Sequence, residues 1–193
     1  MGLAQRKYET YSYADYLTWP DECRVELIDG EVYDMSPAPS RRHQDISGEL
    51  FKQIAVFLTG KTCRVYAAPF DVRFAEADES DEETDCVVQP DISVICDHRK
   101  LDDRGCKGAP DFIAEIISPS TESKDYIVKK DLYERHGVKE YWLIHPHDNM
   151  LIVYRLGKNG KYSAPVYCRG TGQRDISVLP GMSADLDALF AGS

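Results

Sequence analysis

Apolar residues recur at helical spacing from Ser40 to about Leu58, with Ile46, Leu50, Ile54 and Phe57 on one stripe and Gly60 where a C-terminal cap belongs. Ahead of this helix, Tyr11 to Leu17 mixes aromatic and polar residues as a short helix would, and Trp19-Pro20-Asp21 stops it. Two alternating segments, Arg24 to Ile28 and Glu31 to Met35, flank Asp29-Gly30, the signal for a primed hairpin turn that sets Glu26 opposite Tyr33. Pro37 and Pro39 close that unit.

Beyond the long helix the period changes from helical to alternating. Cys63 to Ala67, Phe70 to Phe74, Val87 to Cys96 and Phe112 to Ser118 are rich in β-branched and aromatic residues and read as short strands. A second helix is expected from Glu122 to His136, ended by Gly137. Strands then follow at Glu140 to His145, Met150 to Leu156, Tyr162 to Cys168 and Asp175 to Leu179, with a short acidic helix near Asp185 to Phe190. Without repeats or a linker, the expectation is one domain over residues 1–193, of α/β or α+β class, with a mixed central sheet flanked by helices.

Length and composition agree with a single substantial core: 193 residues, 42% of them hydrophobic. No apolar run approaches the roughly 20 residues of a membrane span, and MGLAQRKYETYSY lacks the layout of a secretory signal, so a cytoplasmic location is expected. The six cysteines form no close pair and read as reduced, mostly buried thiols. A formal charge of −10 counts against unaided binding of a polyanion. Much of the acid, however, lies between Glu76 and Asp85, in what reads as an exposed loop, so a basic site elsewhere is compatible with it.

Two strands carry an acid where packing alone would place none. Alternation puts Glu115 on the face of Ile113 and Ile117, and a carboxylate buried without a partner costs several kcal/mol. If Val87 to Cys96 and Phe112 to Ser118 pair antiparallel, Asp91 comes level with Glu115. Converging carboxylates suit Mg²⁺ or Mn²⁺, which polarise phosphoryl oxygens and acidify bound water. Taken singly, Glu115 also reads as a buried acid paired with an arginine and Asp91 as a strand cap. Helical projection at about 100° per residue turns Lys129 inward beside Leu132 and Tyr133, and Lys130 outward. Lys129 can therefore offset the acids or orient a water, or it can be a snorkelling surface lysine. His145-Pro146-His147 reads as a solvated turn, Arg41-Arg42-His43 as an exposed cluster within possible reach of phosphate, and Tyr141-Trp142 as core.

The order Val25-Glu26-Leu27-Ile28-Asp29-Gly30-Glu31-Val32, Gln89-Pro90-Asp91, Ala114-Glu115-Ile116-Ile117-Ser118-Pro119-Ser120-Thr121, Lys129 to Tyr133, and Gly137-Val138-Lys139-Glu140-Tyr141-Trp142-Leu143-Ile144 resembles the Uma family of the PD-(D/E)xK restriction-endonuclease-like superfamily. The likeness runs from about Tyr11 to Phe190. It implies a core of α-β-β-β-α-β order, a divalent metal at Asp91 and Glu115, phosphodiester hydrolysis, and Glu26 as a further ligand or base. It also suggests a homodimer, since such nucleases often pair to cut two strands. The superfamily lysine two residues after the acid is Ile117 here, so Lys129 on the helix takes its place.

Two readings follow. In the first, the chain is a metal-dependent endonuclease acting on DNA, with Glu26, Asp91, Glu115 and Lys129 at its centre. In the second, the fold is an inactive interaction module that keeps these charges as a buried network. Hydrolysis of a smaller phosphorylated substrate is a third possibility, and it needs only a local cationic site. A divalent-metal titration followed by nuclease assays separates them.

Overall fold

The computed structural model describes residues 10–20, 23–35, 38–76, 78–118 and 124–191. Asp21, Pro37, the segment Pro119-Ser120-Thr121 and the expected helix start at Glu122 lie outside them. Ser12 caps the short helix α1 (Tyr13–Tyr16) through a reciprocal box with Asp15. The hairpin of β1 (Val25–Ile28) and β2 (Glu31–Asp34) has the expected register, Glu26 opposite Tyr33. Its turn places both Asp29 and Gly30 at positive φ (54° and 73°), as a primed turn requires. Ser40 caps α2 (Arg41–Leu58), whose stripe Ile46, Leu50, Ile54 and Leu58 is buried.

Val87 to Cys96 is not one strand. Pro90 cannot donate to a ladder, and the chain divides around it into β5 (Val87–Val88) and β6 (Ile92–Ile95), which belong to different sheets. One sheet has the order β2-β1-β5-β4-β8-β7, where β4 is Val72–Arg73, β7 Leu101–Asp102 and β8 Gly105–Lys107. The other contains β3 (Arg64–Ala67), β9 (Phe112–Ile116), β10 (Glu140–His145), β11 (Met150–Arg155) and β12 (Val166–Arg169), in the order β12-β11-β10-β9-β6-β3. Only the β9–β10 pair of this sheet is parallel, so it is mixed.

Between β9 and β10 the chain runs through a π-helical segment, Lys124–Lys129, into α3 (Lys130–Arg135). The succession α2, β3, β6, β9, π/α3, β10 is the α-β-β-β-α-β core expected of a restriction-endonuclease-like fold. Strand alternation divides the larger sheet's two faces. Phe112, Ala114, Trp142 and Ile144 pack against α2 and the C-terminal helix α4 (Leu186–Phe190). Ile113, Tyr141 and Leu143 pack against Leu132 and Tyr133 of α3. Glu115 shares this second face.

Three smaller expectations need correction. Asp175 to Leu179 is not a strand: β13 (Gln173–Asp175) pairs with β14 (Ser183–Asp185), and Ile176 onward turns. Pro165 delays β12 to Val166, leaving Tyr162 in an isolated bridge to Leu156. The cysteines are not all reduced, since Cys63 and Cys96 form a disulfide. They are 33 residues apart in sequence, but the Arg64–Ile95 pairing of β3 and β6 sets them side by side. Cys86 and Cys106 are buried free thiols, as expected. No helix among the described residues is long and apolar enough to cross a membrane.

Candidate functional site

The antiparallel ladder of β6 and β9 pairs Ile92 with Ala114, and one step further along it Asp91 comes level with Glu115. Their contacts are reciprocal. The Asp91 backbone N–H donates to Glu115 Oε2 at 3.4 Å, and the Ile116 N–H donates to Asp91 Oδ2 at 2.7 Å. Both carboxylates line one cleft of about 550 Å³, Glu115 buried deep within it and Asp91 nearer solvent. The structure thus brings together the two acids that the sequence analysis singled out.

Lys129 stands behind them. Its Nζ lies 2.7 Å from Glu26 Oε1, 2.9 Å from Glu115 Oε1 and 3.8 Å from Asp125 Oδ1, so three carboxylates surround one ammonium. Glu26 is buried on β1 and also accepts from the Gln89 N–H at 3.1 Å. Lys130 is only half-buried and stays outside this group. Burial alone would depress the Lys129 pKa, but Glu115, Glu26 and Asp125 hold it well above the usual lysine range. For Glu26 burial opposes ionisation, and Lys129 with Lys124 outweighs it, so its carboxyl is held below the ordinary value. Glu115 goes the other way. Burial pushes it up, Lys129 opposes this, and the charges of Asp125, Asp91 and Glu26 push it further.

Three participants escaped the sequence analysis, and a fourth, His43, was named there only as part of an exposed cluster within reach of phosphate. Lys124 Nζ meets the other oxygen of Glu26, Oε2, at 2.8 Å. On an α-helix at about 100° per residue, Lys124 and Lys129 would diverge by about 140°. The π-helical turn, closed between residues five apart, stacks them on one side instead. Asp125, on the same segment, is buried beside Lys129. Tyr133 donates its hydroxyl to Glu115 Oε1 at 2.6 Å. His43 is not part of an exposed cluster: its Nε2 lies 3.2 Å from Asp91 Oδ2, while Nδ1 is buried with no hydrogen-bond partner among the described residues. Burial lowers the His43 pKa, but the hydrogen bond to Asp91 and that residue's charge raise it on balance. A signal for His43 was present, because it lies three residues before Ile46 on the buried stripe of α2.

The other candidates divide. Arg41 pairs with exposed Asp45, and Arg42 reaches the Pro146 carbonyl and Asn149, which joins α2 to the β10–β11 turn. His147 is exposed as expected of a solvated turn, whereas His145 is buried and its Nε2 lies 2.6 Å from the Tyr126 hydroxyl. Tyr141 and Trp142 are core. None of the described residues between Glu76 and Asp85 lines the cleft; Asp81 and Thr84 lie instead against α1, where their carbonyls accept from the Ala14 and Tyr13 N–H groups.

The donor set fits a hard divalent cation. Asp91 and Glu115 offer only oxygen, adjacent in register and facing one cleft. Around them four acids (Glu26, Asp91, Glu115, Asp125) face two lysines and one imidazole in a partly desolvated site, an arrangement in which the most deeply buried acid, Glu115, is the one pushed toward its protonated form.

Comparison with known proteins agrees with this architecture. A crystal structure titled as a "putative nuclease belonging to DUF820" from Anabaena variabilis superposes with a TM-score of 0.71, at 21% identity, over 93% of this chain and 97% of that one. The uncharacterized protein slr1290 of Synechocystis sp. is 25% identical over 181 residues, covering 92% of this chain and 90% of that protein. The Uma2 family model, described as "Putative restriction endonuclease", matches residues 13–187. With nearly all of its folded elements inside that match, the chain belongs to the Uma2 family.

Proposed function

We propose that this cleft hydrolyses phosphodiester bonds in DNA, using Mg²⁺ or Mn²⁺ held by Asp91 and Glu115. The observation that carries the reading is the register of β6 and β9, which sets these two acids side by side at a cleft, with the buried Lys129 ammonium against Glu115 and Glu26. Membership of a restriction-endonuclease-like family, in which divalent metals are general, supports it. The bound cation would supply Lewis-acid polarisation of a phosphoryl oxygen and a lowered pKa for water.

The chain's own groups would then do the following. Lys129 holds Glu115 and Glu26 in fixed positions, and the Tyr133 hydroxyl fixes the same Glu115 oxygen. His43 and the Ile116 N–H orient Asp91 through Oδ2. Buried Glu26, kept ionised by its two lysines, is a proton acceptor of low basicity and serves mainly to place them. The cleft's own lining is mixed, with Arg24, Arg42, His43, Lys124 and Lys129 beside Glu26, Asp91, Glu115 and Asp125, so the acidic stretch that carries much of the net charge of −10 is not what a substrate meets there, and a bound cation would tip the balance further toward a phosphate.

The test is cleavage of supercoiled plasmid and single-stranded DNA over a Mn²⁺ or Mg²⁺ series, with Asp91→Ala as control. Cleavage is expected only with the metal. Asp91→Ala should reduce it by more than about 100-fold, since even residues behind a metal ligand commonly cost 10–100-fold. Mn²⁺ should also raise the Tm of the unaltered protein and not that of Asp91→Ala. DNA left intact at every metal concentration, with no shift in Tm, would overturn the proposal in favour of a non-catalytic module.

A further inference from the structure

We infer that Lys124, and not Lys129, is the lysine that contacts the substrate, exchanging its ion pair with Glu26 for a nonbridging oxygen of the nucleic-acid phosphate. This deepens the proposal above and rests on it for the identity of the ligand. The two lysines share one carboxylate, but they hold it differently. Lys129 is sealed: its side chain is 5% exposed and carboxylates of Glu26, Glu115 and Asp125 lie on it from three directions. Its ammonium donates to Glu115, lies 2.7 Å from Glu26 and is 3.8 Å from Asp125. A phosphate could reach it only by displacing one of them.

Lys124 is placed for movement. Its side chain is 14% exposed and lines the cleft, and among the described residues its ammonium has, apart from Glu26 Oε2, only the Asp34 carbonyl at 3.5 Å. Glu26 would keep partners without it, because Oε1 has both the Lys129 ammonium at 2.7 Å and the Gln89 N–H at 3.1 Å. If Lys124 swings toward an incoming phosphodiester, Glu26 remains neutralised. The lysine trades one anionic oxygen for another, so its own desolvation is matched in both positions. His43 and Arg42, at the start of α2, line the same cleft. The π-helical turn makes this division of labour possible, since it presents both lysines to Glu26 from one side of the segment.

The experiment is fluorescence anisotropy of a labelled single-stranded oligonucleotide with Ca²⁺ present, over a series of salt concentrations. The full chain is compared with Lys124→Gln, Lys124→Met and Lys124→Arg. Loss of one phosphate contact should weaken binding by roughly tenfold. It should also flatten the log–log salt dependence by about 0.7. Lys124→Gln and Lys124→Met should both show this, and Lys124→Arg should restore the slope; a merely structural role would change affinity without changing slope. Thermal melts identify any variant that fails to fold, and the remaining neutral variant then decides. Wild-type affinity and slope in a folded neutral variant would overturn the inference, as would failure of the unaltered protein to bind. Plasmid assays with Mn²⁺ keep the two proposals apart. Intact plasmid together with a slope change at Lys124 leaves the phosphate contact standing and removes hydrolysis; cleavage unaffected by Lys124→Gln does the reverse.

Discussion

Lys129→Ala is expected to abolish nuclease activity and to destabilise the fold by roughly 3–5 kcal/mol, the usual penalty for stripping the counter-charge from a buried ionic group. The magnitude follows from where the ammonium sits. It is 5% exposed, and its loss leaves Glu26 with Lys124 and the Gln89 N–H, and Glu115 with the Tyr133 hydroxyl and the Asp91 N–H, among the described residues. Without Lys129 the Glu115 carboxyl, already pushed up by burial, would hold its proton more tightly, and a metal would have more difficulty displacing it. Lys130→Ala, one residue further along and half-buried, should stay within about 0.5 kcal/mol of the parent and keep its activity. Urea melts give the stability difference, and cleavage rates at equal folded concentration give the other. Full activity in folded Lys129→Ala would remove this lysine from the site.

The second large effect is in the pH dependence of metal binding. Burial and neighbouring acids, against the pull of Lys129, raise the Glu115 pKa to about 8, so near neutral pH this carboxyl retains a proton until a cation displaces it. The sign is set by competition. Below the raised pKa, each binding event must expel a proton, and affinity should climb by up to about tenfold per pH unit; above it, affinity should level off. Calorimetry in buffers of different ionisation enthalpy should therefore register close to one proton released per Mn²⁺ at about pH 6.5, and little above about pH 9. Glu115→Gln should lose both the proton release and most of the affinity. An affinity flat across that range would mean that the metal displaces no proton from Glu115, and loss of affinity in Glu115→Gln would then decide alone whether it is a ligand.

How much of this was legible beforehand can be argued residue by residue. The Asp29-Gly30 turn is local chemistry, and it dictated the Glu26–Tyr33 register. Asp91 and Glu115 could be brought together because two short β-rich segments joined by a moderate loop leave few pairings, and alternation then decides which side chains share a face. Lys129 came from helical projection, and the residue does point inward, although the segment that ends with it is π-helical. Lys124 was invisible for that reason: assuming one residue every 100° or so turns it away from Glu26. His43 was hidden by composition, since two arginines before it suggested solvent, whereas its spacing from Ile46 suggested burial. The division at Pro90 and the Cys63–Cys96 bridge depend on which sheet each strand joins, which is a long-range fact that local patterns do not encode.

The π-helical turn also bears on how relatives of this chain should be compared. Such a turn is equivalent to one residue added to an α-helix. A chain one residue shorter between Lys124 and Lys129 would carry the two lysines four apart on an ordinary α-helix, where they would again share a side. Two homologues could therefore hold the same pair of ammonium groups against the same glutamate with different numbers of residues between them. A gapless alignment would place one lysine of the pair opposite an unrelated residue and report it as lost. Superposition on the Glu26 carboxylate, and not column position, is the criterion by which an equivalent of Lys124 should be sought.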